Sequence, residues 1–388
     1  MSNAFSNKAC LDDYASVLSN SIPPELQSIL EILWKHHKEA YIVGGAVRDC
    51  LLGFPTKDFD IATNAQPREI EKLLNIAGIK TKPIGSKFGT IIAIVGKAVF
   101  DVCTFRREIY STPKSPEVIF VDSLEEDLTR RDFTFNAIAF DPKKQKFIDR
   151  YDGFNDLQQR RIQTIGDAYT RLSEDGTRVI RLARFVSQYP DFNVHPDLLA
   201  AALEVGKTAK FCSYTTLKKE LFKLIILPNP TNGLRLLWQT KILNAMFPNF
   251  PFIESSTNHI EKVLNGFKEI PSRDVWIRLF GLFLLLSEES IHTVDVWQDI
   301  GQDLKITPKE QKKLNHLLLS WLNFPQVFDL KNLKKWIRTT GINTSEDLLK
   351  LIFLQAELLG RSELISKKEF CLKKTLTILE TFRGSLGS

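Results

Sequence analysis

The sequence predicts an α+β protein: a small α/β head at its N-terminal end, followed by an elongated all-helical region. Three observations predict it. Residues 40–150 alternate short β-branched runs with short helical segments. After Arg161 the strand signals fade, and apolar residues recur at helical spacing. At 388 residues, 43% apolar and 25% charged, the chain has a globular composition and is too long for one ordinary core, so two to four domains are expected.

The elements follow in order. Residues 1–25 read as a loose leader ending at Pro23-Pro24. From Glu25 to Lys38 the spacing of Leu26, Ile29, Leu30, Ile32 and Leu33 is helical. Tyr41–Val43 reads as a strand, Ala46–Leu52 as a helix and Asp58–Ala62 as a strand. Pro67 opens a helix through Leu74, at a position where its missing N–H costs nothing. Ile91–Val95 and Val99–Thr104 are β-branched runs split by Gly96-Lys97, a hairpin signal. Val118–Val121, Ala137–Phe140 and Phe147–Ile148 are further short strands, which completes a small mixed sheet. Residues 170–230 are helical, and Trp276–Leu286, Leu314–Leu322 and Leu348–Leu359 are amphipathic helices, punctuated by prolines. No fixed-period repeat or low-complexity tract is present.

Composition excludes some classes. No stretch approaches eighteen uncharged apolar residues, so no membrane span is expected. The first residues, Met1 to Lys8, lack a basic-then-apolar signal, so a cytoplasmic protein is expected rather than a secreted one. Cys10, Cys50, Cys103, Cys212 and Cys371 are scattered without a C-x-x-C pair, and read as reduced thiols. His36, His37, His195, His259, His292 and His316 form no His-Asp doublet, so an attached metal phosphohydrolase domain is not expected. Net charge is +6, and residues 302–388 hold 15 Lys/Arg against 9 Asp/Glu, so the first 301 residues are neutral in sum. A basic C-terminal part suits a polyanion such as RNA, or is a solvated helical face.

The chemistry-bearing residues begin at Tyr41-Ile-Val-Gly44-Gly45. A strand running into two glycines lets the backbone approach a ligand closely. The helix that follows offers free N–H groups to a phosphate, and Arg48 adds a charged donor. Asp58 and Asp60, two apart on a strand, project to one side. Two converging carboxylates repel unless a cation joins them, and Mg²⁺ favours one or two carboxylates plus phosphate oxygens. Together these features suggest an enzyme handling a nucleoside triphosphate. Asp101, opposite in direction to Phe100 and Val102, is a third acid on either a metal-lining strand or a polar face in water. Arg130 and Arg131 either neutralise phosphates or join Glu125, Glu126, Asp127 and Asp132 in a salt-bridge web. Ser173 reads as an N-cap, with Asp175, Arg178, Arg181 and Arg184 as one stripe on the helix that follows. Three arginines behind a single carboxylate are an excess of positive charge that wants an anion.

Four motifs in this order carry a resemblance: Tyr41-Ile-Val-Gly-Gly-Ala-Val-Arg-Asp49, Lys57-Asp-Phe-Asp-Ile-Ala-Thr63, Arg130-Arg-Asp-Phe-Thr-Phe-Asn-Ala137 and Glu174-Asp-x-x-Arg-x-x-Arg-x-x-Arg-Phe185. The chain resembles the bacterial-type (class II) tRNA nucleotidyltransferases, or CCA-adding enzymes, and their relatives the bacterial poly(A) polymerases. The resemblance is dense over residues 40–190 and weaker through Lys219–Leu224 and Gly233–Thr240; the last 130 residues match no motif. It implies a seahorse-shaped protein: a catalytic head over residues 1–160, a nucleotide-selecting neck over 161–230, a body over 231–305 and a basic, tRNA-binding tail over 306–388.

The implied activity is template-independent addition of C, C and A to the 3′ end of tRNA from CTP and ATP, with pyrophosphate released. By carry-over, Asp58 and Asp60 bind Mg²⁺ and Asp101 is the third acid. Gly44, Gly45, Arg48 and Arg131 hold the triphosphate, and Asp175, Arg178, Arg181 and Arg184 belong to the nucleotide pocket. One metal would activate the terminal ribose hydroxyl and another would stabilise the leaving pyrophosphate. Cytosine and adenine both present an amino donor beside a ring-nitrogen acceptor. Asp175 accepts only and Arg178 donates only, so the pair complements both bases. Uracil and guanine reverse the pattern, at roughly 1–3 kcal/mol per unpaired group.

The departures are specific. Gly176 and Thr177 stand where better helix formers are usual, and an interior Gly costs about 1 kcal/mol against Ala. Asp101 stands where Glu is frequent, a Glu-Arg pair is not obvious near Thr215–Lys219, and the loop Arg107–Ser123, implicated in switching from C to A, is short. Alternatives therefore stay open: a CC-only or A-only enzyme, a poly(A) polymerase, or a non-catalytic RNA-binding helical protein. Ile84–Thr90 is nearer the tRNA-enzyme pattern than that of the poly(A) polymerases, and the intact Asp58/Asp60 pair speaks against a non-catalytic head.

Overall fold

The computed structural model describes residues 11–110, 116–252, 257–270, 274–287, 293–325, 329–366, 374–375 and 377–378. They form two compact units. The first takes residues up to Asp175 together with Asp191–Ala202; the second takes Gly176–Pro190 and Leu203 onward.

The first unit is the α/β head. Its strands are β1 (Ala40–Val43), β2 (Asp60–Thr63), β3 (Lys80–Gly85), β4 (Thr90–Val95), β5 (Ala98–Thr104), β6 (Arg106–Ile109), β7 (Glu117–Phe120), β8 (Ile138–Asp141), β9 (Lys146–Asp149), β10 (Arg161–Ile162) and β11 (Asn193–Val194). Seven of them make one mixed sheet in the order β3-β4-β5-β2-β1-β8-β9, in which β2 and β5 run parallel and the other pairs antiparallel. β6 and β7 form a separate antiparallel ribbon. The helices are α1 (Leu11–Ser21), α2 (Pro24–Lys35), α3 (Gly45–Leu51), α4 (Pro67–Ile76), α5 (Leu124–Thr129), α6 (Gly153–Gln158) and α7 (Ala168–Glu174).

Most strands of the main sheet fall where the spacing places them, while α5, α6, β10 and β11 are additional elements, and three further points differ from expectation. The expected loose leader contains α1, whose Ala15 and Leu18 are buried; their spacing of three is a helical stripe too short to stand out. β3 and β6 were not expected, because Lys80-Thr-Lys-Pro and Arg106-Arg-Glu carry charge and proline where strands favour β-branched residues. β2 starts at Asp60, so Asp58 lies just ahead of the strand.

The second unit is helical: α8 (Thr177–Gln188), α10 (Tyr214–Ile225), α11 (Thr231–Gln239), α12 (Ile242–Met246), α13 (Thr257–Lys268), α14 (Val275–Leu285), α15 (Val294–Asp303), α16 (Pro308–Leu322), α17 (Leu330–Thr340), α18 (Ile342–Leu358) and α19 (Ser362–Ser366). Helix α9 (Pro196–Val205) runs from the end of the first unit into the second. Residues 275–285 of α14 are apolar nearly all round, and the helix is buried on every side. Its Phe283 meets Phe247, Phe250 and Trp297 edge-on, and its Phe280 stacks on Trp297. Among the described residues no helix is long and apolar enough to cross a membrane. Cys50, Cys103 and Cys212 are free thiols, while Cys10 and Cys371 lie outside the described residues. Burial pushes the Cys50 thiol up to about 11.

Candidate active site

The site is built on three neighbouring strands. Parallel pairing sets Asp60 of β2 directly beside Asp101 of β5, so their side chains share one face of the sheet. Phe100 and Val102 turn into the core, which leaves Asp101 exposed as the strand alternation requires. Asp58 repeats the pattern ahead of β2: Phe59 is 4% exposed, while Asp58 is exposed and Asp60 half-buried. On β1, Val43 pairs with Asp60. Gly44 follows with φ +76 and ψ −131, a conformation essentially reserved for glycine. A side chain on Gly44 would start 3.4 Å from Asp60 Oδ2 and 3.7 Å from Arg131 Nη1. Gly44, Asp60 and Arg131 therefore meet at one point, where α3 begins at Gly45.

Arg48, one turn into α3, is 7% exposed. It donates to Asp49 Oδ1 through Nε and Nη2, at 2.9 and 2.7 Å, and to Asn136 Oδ1 through Nη1 at 2.9 Å. Asn136 in turn donates to Asp132 at 3.0 Å. Arg48 thus clamps the helix to the Arg130–Ala137 motif from the side.

The two arginines of that motif part company. Arg130 is held by Asp127 at 2.8 Å and by Glu108 at 3.3 Å, and Glu108 also receives Arg106 at 3.0 Å. Burial opposes ionisation of Asp127 and Glu108, but the arginines beside them hold both carboxyls below the usual carboxylate range. Arg130 belongs to the salt-bridge web, which settles that open reading for it. Arg131 gives Nη2 to Asp127 at 3.1 Å and turns Nη1 toward Gly44. Its Nε is buried with no hydrogen-bond partner among the described residues.

Further along, the chain departs from the single stripe. α7 ends at Glu174 with Ser173 inside it, Asp175 is extended at its C-cap, and Gly176 is the N-cap of α8. Asp175 thus lies outside the helix that carries Arg178, Arg181 and Arg184. The expected cost of Gly176 as an interior glycine does not arise. Its N–H donates to Lys210 O at 2.8 Å, and a Cβ there would sit 2.7 Å from Ala209 Cβ and 3.0 Å from Lys210 O. Only glycine allows that approach.

The arginine excess also has an answer within the second unit. Glu220 of α10, 4% exposed, accepts from Arg184 Nε at 2.7 Å and from Arg181 Nη1 at 3.3 Å. Arg184 adds a bond to Gln188 at 2.7 Å. Glu220 directly follows the stretch Thr215–Lys219, in which no Glu-Arg pair is obvious from the sequence.

A family model described as the poly A polymerase head domain matches residues 40–163, and one described as a probable RNA and SrmB-binding site of polymerase A matches residues 191–253. The CCA-adding enzyme of Staphylococcus haemolyticus is 35% identical over 330 residues, covering 84% of this chain and 76% of the relative. This chain belongs to the CCA-adding enzyme family. That of Ligilactobacillus salivarius is 33% identical over 296 residues, 74% of this chain and 71% of the relative. The crystal structure of the Bacillus stearothermophilus CCA-adding enzyme in complex with CTP matches with a TM-score of 0.68 at 27% identity, over 93% of this chain and 83% of that one.

CCA-adding enzymes generally use a divalent metal. Among the described residues no three His, Cys, Asp or Glu side chains are gathered into a ready-made cage. Asp60 and Asp101 form a pair of carboxylates on adjacent strands, with Asp58 two residues ahead of Asp60. That fits a hard cation that completes its shell with phosphate oxygens and water. Sequence reasoning missed Asn136, Glu108, the hub role of Asp127, and Glu220 as the partner of the α8 arginines. Asn136 lies within the Arg130–Ala137 motif and Asp127 in the acidic cluster just before it, but their partners are set by the fold.

Proposed function

We propose that this chain adds CMP and AMP, from CTP and ATP, to the 3′ end of tRNA without a nucleic-acid template, releasing pyrophosphate. The observation that supports this best is the placement of Asp60 beside Asp101, with Gly44 and Arg131 at the same point, in a member of the CCA-adding family. Asp58, Asp60 and Asp101 are the residues to hold Mg²⁺. When bound there, the ion would screen the triphosphate and acidify the attacking hydroxyl.

The chain's own residues do the rest. Gly44 and Gly45 leave room for phosphate oxygens at the start of α3, and Arg131 supplies positive charge at the same place. Arg48, expected to hold the triphosphate, is 7% exposed and bonded to Asp49 and Asn136, so its part is to keep α3 fixed against Asn136. The 3′ hydroxyl of the RNA is thereby aimed in line at the α-phosphorus, and pyrophosphate leaves on the opposite side. Asp175 and Arg178 select the base by the donor–acceptor match described above. Arg181 and Arg184 keep that region positively charged around Glu220. We divide the chain into head 1–160, neck 161–230, body 231–305 and tail 306–388, and place its work in the cytoplasm, where CTP, ATP and tRNA meet.

The test is incubation with tRNA lacking its 3′ end, with CTP alone, ATP alone and both, sizing the products. Two residues added with CTP and a third only when ATP is present support the reading. A product that stops at CC, adds only A, or grows to a long A tract gives the CC-only, A-only or poly(A) alternative instead. No extension would leave a non-catalytic RNA-binding protein.

A further inference from the structure

We infer that Asp127 is a positioning residue: it fixes Arg131 against Gly44 and Asp60, and ties that arginine to the base of the β6–β7 ribbon. The inference rests on the reading of Arg131 as a triphosphate ligand. Asp127 is 1% exposed, and its two oxygens are divided between two tasks. Oδ1 accepts the backbone N–H of Arg106, the first residue of β6, at 3.2 Å, and takes Arg130 Nε and Nη2 at 3.0 and 2.8 Å. Oδ2 takes Arg131 Nη2 at 3.1 Å. A second bond of Arg131 runs from Nη1 to Asn136 O at 3.4 Å, long enough to be weak. Asp127 is thus the strong anchor of Arg131.

The web's charges point the same way. Arg106, Arg130 and Arg131 face two acids, Asp127 and Glu108. Arg106 and Arg130 both share Glu108, so the surplus positive charge falls at the Arg131 end, beside Gly44 and Asp60. A buried carboxylate that pairs an arginine without fully spending its charge both orients the arginine and leaves it able to meet an anion.

Steady-state incorporation of CMP into tRNA lacking its 3′ end tests this. Asp127→Asn keeps the side-chain shape but removes the charge and one acceptor oxygen. It is expected to raise KM for CTP by about 10- to 100-fold, the scale of a misplaced ligand-positioning group, with KM for tRNA within about twofold. Arg131→Ala is expected to do the same, and the double variant to be no worse than Arg131→Ala. Glu108→Gln removes the other acid of the web but no partner of Arg131; it lowers thermal stability while KM for CTP stays within about twofold. Where the amide variant does not fold, Asp127→Glu, which keeps the charge and displaces the carboxylate, carries the same expectation. The inference is overturned if Asp127→Asn leaves KM for CTP unchanged, or if its loss multiplies with that of Arg131→Ala. An Arg131→Ala enzyme with normal KM for CTP instead removes the reading of Arg131 itself, and the inference with it.

Discussion

At the scale of single residues, backbone conformation and hydrogen-bond inventory decide what each position can do. Gly44 holds φ +76 with Asp60 and Arg131 against its face. Gly44→Ala therefore meets backbone strain of about 1–3 kcal/mol and intrudes on the proposed phosphate space. Incorporation of CMP is expected to fall at least tenfold, which single-turnover kinetics would register. Gly176→Ala is a different case: its Cβ would overlap Ala209 and Lys210. Urea denaturation is expected to show a loss of about 1–3 kcal/mol. Arg178→Ala removes the donor of the proposed base-reading pair. Discrimination against UTP should relax, and an unchanged ratio of CTP to UTP incorporation would remove the pocket argument. The sequence made Gly44, Asp58, Asp60 and Asp101 legible, because glycine flexibility and strand alternation are local rules. It mistook Gly176 for a helix-interior residue, because the 209–211 segment that crowds it is distant in the chain.

At the scale of elements, buried charge is what the sequence could not price. Glu220 of α10 meets Arg181 and Arg184 of α8 across 39 and 36 residues of chain, a separation that no motif spacing encodes. Glu220→Ala leaves the 9%-exposed Arg184 without its carboxylate. A loss of about 3–5 kcal/mol in chemical denaturation is expected, as when one partner of a buried pair is removed. In the head, Asp127 and Glu108 titrate lower when folded than when unfolded, burial being outweighed by the arginines around them. Their stabilising contribution is complete above the unfolded value, about 4, and is lost as pH falls through the lower folded values. Stability should therefore drop as pH falls below about 4, and drop less in Asp127→Asn. Strand order was equally hidden: β2 and β5 were both expected, but only the sheet puts Asp60 beside Asp101.

For the molecule as a whole, charge and family membership describe an RNA enzyme whose positive excess lies in residues 302–388. Lys309, Lys312 and Lys313 on α16, and Lys331, Lys334, Lys335 and Arg338 on α17, are exposed. If three of these contact phosphate, tRNA affinity falls by about 40-fold between about 50 and about 200 mM salt. A flat salt dependence in filter binding would mean that this surface is only solvated. Fold class was readable from end to end, since helical periodicity survives where motifs do not. The proposed activity depends most on the acids of β2 and β5 holding a divalent ion beside bound nucleotide. Mn²⁺ binding in the presence of CTP, followed by electron paramagnetic resonance, measures this directly. The wild type is expected to bind Mn²⁺ with CTP, and Asp60→Asn to lose that site while still binding tRNA; an Asp60→Asn protein that keeps the same Mn²⁺ signal would contradict the account.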